Sequence, residues 1–253
     1  YKDEPFLLYV PYTQPHVPLG VSDKFRGSSE KGLYADVISE IDWSVGEIMK
    51  ALHDYGVDKH TLVLFTSDNG PWLSYGNHAG TTGGLREGKG TTFEGGQRVP
   101  FIAWMPERIP GDKVCDRFCS GLDITPTLVK LTGSAMPRMN PFDGEDVWAV
   151  WTGSGEQAHR PFFFVYNGKV EAVRDGKWKC VLPHAYRIVT EPGKDGLPGV
   201  QLNEGGHTGL ALFDLEQDAQ ERNNVAETHP DIVKRLVGMM KEFQKEMIMA
   251  MKE

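Results

Sequence analysis

The chain has 253 residues, a net charge of −8 and a sequence pI of about 5.5, and 40% of its residues are apolar. This is an ordinary globular composition, and the length suits one large domain or slightly more. The acidic balance argues against a nucleic-acid-binding protein, which needs clustered Lys and Arg. No apolar run approaches the roughly 20 residues of a membrane span.

Strand-like and helix-like segments alternate in the first part of the chain. The apolar run Phe6–Val10 predicts a strand buried on both faces. Apolar residues recurring at helical spacing from Tyr34 to Leu52 predict a helix that ends at Gly56. A second buried strand is predicted over Thr61–Thr66. The order strand, helix, strand favours a parallel pair joined by a right-handed crossover.

The later elements change in character along the chain. A third strand is predicted over Val99–Pro106, and a helix is predicted between a cap at Asp123 and Gly133. Short strands follow from about residue 161, with a hairpin at the sequence RDGKW, and an amphipathic helix covers Thr228–Glu253. We therefore predict an α/β fold over residues 1–150, with a mostly parallel sheet flanked by helices. A small antiparallel sheet with a C-terminal helix is predicted over residues 151–253.

Polar side chains follow the two predicted strands of the first part. His16 follows the first strand, and Asp68 and Asn69 follow the second. Open α/β sheets bind ligands beyond the carboxyl ends of parallel strands, so these residues are expected at one edge. Asp and Asn oxygens suit Ca²⁺ or Mg²⁺, but calcium takes about 6–8 oxygens and this motif supplies two. The alternative is that Asp-Asn-Gly is simply a turn.

The long glycine-rich loop from Ser67 to Gly96 carries three further candidates. Lys89 has a glycine on each side, which lets the backbone approach a ligand closely. A lysine there can act as a point charge for a tetrahedral oxyanion, or it can be a solvated loop residue. Asn77 and His78 are either substrate contacts or parts of a surface turn.

The order of these motifs resembles the later part of a type I sulfatase, in the arylsulfatase branch of the alkaline phosphatase-like superfamily. The resemblance rests on the sequences PHVP, SDNGP, GGLREGKGTTFEGGQRVP, LDITPTL and LFDLEQDAQERNNVAE, and it spans nearly the whole chain. In their order, these motifs are specific to that family.

The resemblance implies a role for each candidate residue. Asp68 and Asn69 resemble the second pair of calcium ligands of the family. Lys89 resembles the lysine that binds the sulfate and supports the leaving oxygen, and His16 resembles the histidine near the ester oxygen, a candidate general acid. Asn77 and His78 occupy a stretch that often faces the leaving-group sugar in similar enzymes.

One departure from the family concerns the nucleophile. Family members carry a Cys or Ser in the motif C/S-x-P-x-R, which is oxidised to formylglycine and lies early in the chain. Cys115, Cys119 and Cys180 all lack a proline two positions later. We therefore expect this sequence to be the later part of a longer protein, and inactive by itself.

The resemblance thus implies a calcium-dependent sulfuric ester hydrolase that cleaves an aryl or carbohydrate sulfate ester. The alternatives are a phosphate or phosphonate ester hydrolase of the same superfamily and a non-catalytic, anion-binding chain. The expected partners are a sulfated small molecule or carbohydrate, and either the missing N-terminal part or a second copy of the chain. The family implies a periplasmic, secreted or lysosomal location.

Overall fold

The computed structural model describes residues 3–135, 143–155 and 160–250. Between the helices and strands of these ranges, 3₁₀ segments lie at Asp58–His60, Leu73–His78, Gly121–Asp123 and Ala226–Thr228. The segment Leu73–His78 is interrupted by a kink at Gly76. The helices are α1 (Leu33–Asp54), α2 (Glu94–Gln97), α3 (Ile124–Leu131), α4 (Trp148–Thr152) and α5 (Pro230–Ala250). The strands are β1 (Val63–Thr66), β2 (Phe101–Trp104), β3 (Phe162–Tyr166), β4 (Lys169–Asp175), β5 (Trp178–Val181), β6 (His184–Glu191), β7 (Val200–Thr208) and β8 (Ala211–Asp214).

The described residues divide into two compact units. The first unit takes its residues from Tyr1–Phe6, Glu47–Asp68 and Pro100–His159, and the second takes the rest of the described chain. The predicted boundary at residue 150 stays a prediction. None of the helices in the described ranges is both long and apolar enough to cross a membrane.

In the first unit, strands β1 and β2 pair in an antiparallel register, with Val63 opposite Trp104. The predicted helix after Asp123 is confirmed as α3, and Gly133 follows it with a φ of +68°. The carboxylate of Asp123 is fully buried and accepts hydrogen bonds from the backbone N–H groups of Ser120 (2.7 Å) and Glu145 (3.0 Å). The predicted cap was wrong, because Asp123 precedes α3 but its side chain makes no capping hydrogen bond to that helix. Its carboxylate instead closes the capping box of the preceding 3₁₀ turn, which begins at Ser120.

The predicted strand over Phe6–Val10, and with it the predicted parallel pair, was wrong. This segment has no regular secondary structure, and the side chains of Leu7 and Tyr9 are 85% and 81% exposed. An apolar run forms a strand only where a neighbouring strand satisfies its backbone and another layer covers its side chains. Strand β1, predicted as its parallel partner, pairs with β2 instead.

The core of the second unit lies on both faces of the antiparallel sheet β3-β4-β5-β8. Neighbouring residues of a strand point to opposite faces, so Val173 packs toward α5 while Ala172 packs toward the other layer. Helix α5 covers its face with the fully buried side chains of Leu236 and Met240. The predicted hairpin is confirmed, because Asp175 pairs with Trp178 around its two-residue turn.

The opposite face of this sheet carries the contacts that position the glycine-rich loop. Phe93 from the loop is fully buried among Phe164, Phe213 and other side chains of the sheet. Strands β6 and β7 form a separate antiparallel hairpin, and the Tyr186 ring of β6 meets the Phe93 ring edge-on at 4.9 Å. The loop is therefore part of the core of the second unit.

Candidate active site

The glycine-rich loop folds back on itself through backbone contacts. The N–H of Lys89 donates to the carbonyl of Pro71 (2.9 Å), and the N–H of Gly70 donates to the carbonyl of Gly96 (3.0 Å). A Cβ atom at Gly88 would lie 2.5 Å from the Pro71 oxygen. Such an approach is open only to glycine, because real Cβ atoms do not come so close to a carbonyl oxygen. The small residues thus bring the backbone on either side of Lys89 into close contact.

A buried charged cluster anchors the far end of this loop. Lys179 Nζ on β5 lies 2.9 Å from Glu94 Oε1 and 2.9 Å from Glu221 Oε1, and none of the three side chains is more than 4% exposed. Glu221 also accepts a hydrogen bond from the backbone N–H of Glu94 at 2.7 Å. Burial raises the pKa of Glu221, against the opposing effect of the Lys179 ammonium. Because the Lys179 ammonium on β5 pairs with the Glu94 carboxylate of the loop, the folded position of the loop and the packing of the sheet stabilise each other.

Arg86, three residues before Lys89 in the same loop, ties the loop to the β6–β7 hairpin. Its guanidinium lies 3.8 Å from the centre of the Phe93 ring and donates to the Tyr186 hydroxyl at 3.1 Å. Farther along, the Thr92 hydroxyl donates to Glu171, whose carboxylate is 3.3 Å from His184 Nε2. These contacts and the charged cluster fix the backbone that carries Lys89.

The structure brings His16 and Lys89 to the same aromatic ring. Lys89 Nζ lies 5.6 Å from the centre of the Trp72 ring, and the His16 ring centre lies 5.8 Å from it. The indole is held in place by its N–H, which donates to Gln201 at 2.8 Å, and by Tyr75 packed edge-on at 5.0 Å. Two of the predicted functional groups therefore share one fixed platform.

Hydrogen bonding determines which nitrogen of His16 carries the proton in its neutral form. His16 Nδ1 is 2.7 Å from the carbonyl oxygen of Val17, and a carbonyl can only accept. Nδ1 is therefore the donor, which leaves Nε2 as the nitrogen able to take up or release a proton. The side chain is exposed, so Nε2 is open to a ligand.

The predicted metal ligands Asp68 and Asn69 lie in the turn after β1. Asp68 is exposed and ends the segment Glu47–Asp68 of the first unit. Asn69 is half-buried and begins the segment Asn69–Val99 of the second unit. Residues 3–135, 143–155 and 160–250 contain no group of three His, Cys, Asp or Glu side chains placed to hold a metal ion. The side-chain oxygens of Asp68 and Asn69 are of the type that binds Ca²⁺ or Mg²⁺, but two residues supply only part of the coordination shell of such an ion.

The other two loop candidates contact a later segment of the same unit. Asn77 Nδ2 donates to Asp195 Oδ1 at 2.9 Å, and the Asp195 N–H donates back to Asn77 Oδ1 at 2.9 Å. His78 is buried, and its Nδ1 has no hydrogen-bond partner. A Cβ at Gly196 would lie 3.4 Å from that nitrogen. In this structure the Asn77 amide therefore holds a neighbouring loop, and a contact of either residue with a substrate stays a prediction.

The cysteines differ from one another in environment. Cys115 is exposed and Cys119 half-buried, while Cys180 lies inside the sheet. Burial raises the pKa of the Cys180 thiol to about 11. A thiol with such a pKa stays protonated at neutral pH and is a poor nucleophile.

Comparison with known protein families identifies the family of this chain. The family described as Sulfatase matches residues 1–134, more than half of the chain, and the C-terminal region of aryl-sulfatase matches residues 157–253. The chain belongs to the sulfatase family. The predicted resemblance to the arylsulfatases is thereby confirmed.

Individual relatives of this sulfatase chain cover nearly all of it. It is 35% identical to N-acetylgalactosamine-6-sulfatase of Canis lupus familiaris, over 96% of the chain and 49% of that protein. It is 34% identical to arylsulfatase A of Bos taurus, again over 96% of the chain and 49% of the relative. The chain thus spans about half the length of the curated relatives it matches.

A solved structure from work on the metabolism of multiple glycosaminoglycans by Bacteroides thetaiotaomicron is also similar. It superposes with a TM-score of 0.80 at 29% identity, over 96% of this chain and 51% of that one. This similarity confirms the predicted α/β fold class of the alkaline phosphatase-like type.

Sequence reasoning missed three residues around Lys89 in this sulfatase chain. Trp72 carried a local signal, because it follows the SDNGP motif directly. Arg187 and Gln201 carried none, since they reach the loop only through the β6–β7 hairpin, about a hundred residues later in the chain. Long-range pairing of this kind is set by the tertiary fold and leaves no spacing pattern in the sequence.

Proposed function

We propose that this chain forms the substrate-binding part of a sulfuric ester hydrolase that cleaves an aryl or carbohydrate sulfate ester. The observation that carries the proposal is the pairing of Lys89 and His16 around Trp72, in a chain of the sulfatase family. Among the described residues, no carboxylate lies within ion-pair distance of the Lys89 ammonium. An ammonium without a counter-ion, fixed by a rigid backbone, suits a sulfate group.

The chain's own residues then have distinct tasks. Lys89 holds the sulfate oxygens, whose negative charge persists while the sulfur–oxygen ester bond breaks. His16 Nε2, in its protonated form, gives a proton to the departing alcohol oxygen. Trp72 offers an apolar surface beside both groups, which excludes water and orients the leaving group.

Two further elements of the proposal lie partly beyond this chain. Asp68 and Asn69 would contribute oxygen ligands to a calcium ion, which would supply positive charge to polarise the sulfate. The nucleophile is a formylglycine in an N-terminal part of the longer protein, and the chain alone is inactive. The compartment proposed is periplasmic, secreted or lysosomal.

The test is a turnover assay of the longer protein that contains this chain, on matched sulfate and phosphate esters of one phenol. We expect sulfate release, lost on chelation and restored by calcium. Phosphate release in its place would support the alternative hydrolase of this superfamily, and no turnover of either ester would leave a non-catalytic, anion-binding chain.

The metal ligands are tested separately by calorimetry of calcium binding to the same protein. Asp68→Ala removes a charged oxygen ligand, so the calcium dissociation constant should rise by at least about tenfold. Asp23→Ala, which removes an exposed carboxylate elsewhere, is the matched control. Unchanged calcium binding by Asp68→Ala would reduce the Asp-Asn-Gly sequence to a turn.

A further inference from the structure

A second cation lies beside Lys89 and has no assigned role. Arg187 of strand β6 lines the same shallow recess as Lys89, Trp72 and Gln201. Its Nη1 lies 3.5 Å from the Lys89 carbonyl oxygen, at the outer limit of a hydrogen bond. The recess has a volume of about 10 Å³, enough for one water-sized group such as a single oxygen atom of a larger anion that lies outside it.

The backbone on both sides is built to admit this guanidinium. The β6–β7 register shifts between Tyr186 and Ile188, so Arg187 lies in an irregular stretch of the ladder, where side chains are commonly redirected. On the loop side, a Cβ at Gly90 would lie 2.5 Å from Arg187 Nη1, and Gly90 has a φ of +85°. Only glycine combines that backbone angle with the space that Arg187 occupies.

The guanidinium is incompletely satisfied within the protein. Arg187 Nε is buried and has no hydrogen-bond partner. Among the described residues, no carboxylate forms an ion pair with Arg187. Glu87 also lines the recess, and burial raises the pKa of its carboxyl. Two cations and one carboxyl group leave the recess with an excess of positive charge. A buried N–H donor without an acceptor also destabilises the protein unless a ligand supplies the acceptor.

We propose that Arg187 binds a second anionic group of the substrate, next to the sulfate held by Lys89. The inference rests on the proposed function and narrows the substrate class to carbohydrate sulfates that carry another sulfate or a carboxylate close by. Arginine suits this task, because its planar fork of N–H donors matches either oxyanion and its charge is permanent. Arg187 thereby determines specificity and takes no part in the proton transfer.

The experiment compares three substrates in the longer protein: a monosulfated hexosamine, the same sugar with two sulfates, and a monosulfated uronic acid. Arg187→Gln should raise the KM of the dianionic sugars on the order of 10- to 100-fold, the usual effect of a lost charged hydrogen bond. The loss of kcat/KM should be at least about tenfold smaller for the monosulfated sugar, which has no group for Arg187 to bind. Comparison of the KM values for the disulfated sugar and the monosulfated uronic acid shows whether Arg187 binds a sulfate or a carboxylate.

Two further variants separate recognition from structural support. Arg187→Lys keeps the positive charge but loses the planar pair of N–H donors, so its selectivity for dianionic sugars should lie between those of Arg187→Gln and the wild type. Arg222→Gln, the same substitution at an exposed position, should behave like the wild type. An equal loss on all three sugars would make Arg187 a support for the Lys89 backbone, and no loss would also overturn the inference.

Failure of the proposed function would look different. If the wild-type protein released no sulfate from any sugar, calorimetric binding of the same three sugars would still test Arg187. A dianionic sugar should then bind the wild type on the order of 10- to 100-fold more tightly than Arg187→Gln. Equal affinities would overturn the inference whatever the catalytic result.

Discussion

The two stretches that carry the proposed catalytic residues are held in opposite ways. The stretch that follows the half-buried Lys89 is buried at every residue from Thr91 to Gly96. The stretch that leads to His16 is largely exposed, including its apolar side chains. A group held by buried contacts keeps its geometry without a ligand, whereas an exposed group depends on few neighbours. The Lys89 ammonium, proposed to bind the sulfate, is therefore pre-organised by this chain more firmly than His16, the proposed proton donor.

Removal of the buried ammonium should give the largest effect on the well-held stretch. Lys179→Met leaves Glu94 and Glu221 buried without their cation, which should lower the free energy of unfolding by about 3–5 kcal/mol. The measurement is urea denaturation followed by intrinsic fluorescence.

A neighbouring lysine provides the control for that variant. Lys177 pairs with Asp214 at 2.6 Å, but its side chain is 36% exposed. Lys177→Met should therefore cost less than about 1 kcal/mol. Equal losses for the two variants would show that the buried cluster does not anchor the loop.

The next effect concerns chemistry at the tip of the same stretch. Lys89→Ala in the longer protein should lower the turnover of an aryl sulfate by about 10²–10³-fold, since one charged contact to the reacting group is lost. Lys31→Ala, at an exposed lysine, should leave the turnover unchanged. Wild-type kinetics for Lys89→Ala would remove the lysine from the mechanism.

The smallest effect is expected in the exposed stretch. Leu7 is 85% exposed, so Leu7→Ser in this 253-residue chain should change the free energy of unfolding by less than about 0.5 kcal/mol. Leu212→Ala, at a fully buried leucine of the sheet, should cost about 2–5 kcal/mol in the same experiment. A large loss for Leu7→Ser would mean that Phe6–Val10 is covered, and the contrast between the two stretches would fail.

The sequence predicted those elements whose signals are local. Helix α1 and its end at Gly56, helix α3 before Gly133, and the hairpin at Asp175 were all found from spacing and turn residues. The strand over Phe6–Val10 was wrong, because an apolar run is equally compatible with an exposed, unpaired segment when its partners are not known.

The site was predictable to the extent that its motifs are contiguous. Lys89 was predicted as a site residue from its flanking glycines, and His16 from its place after an apolar run, and both roles stay predictions. The anchoring of the loop was not found, because Lys179 and Glu221 follow Glu94 by 85 and 127 residues. No local pattern marks such a pair, and a buried lysine looks in sequence like any other.

The buried cluster of Lys179, Glu94 and Glu221 also limits how relatives can be recombined. A chimera that exchanged the later strands for those of another sulfatase would exchange the ammonium and one carboxylate while keeping Glu94. Unless the donor supplied a cation and an acceptor at matching positions, Glu94 would be left as an uncompensated charge in the interior. The glycine-rich loop and the C-terminal sheet must therefore be exchanged together if the buried charges are to stay paired.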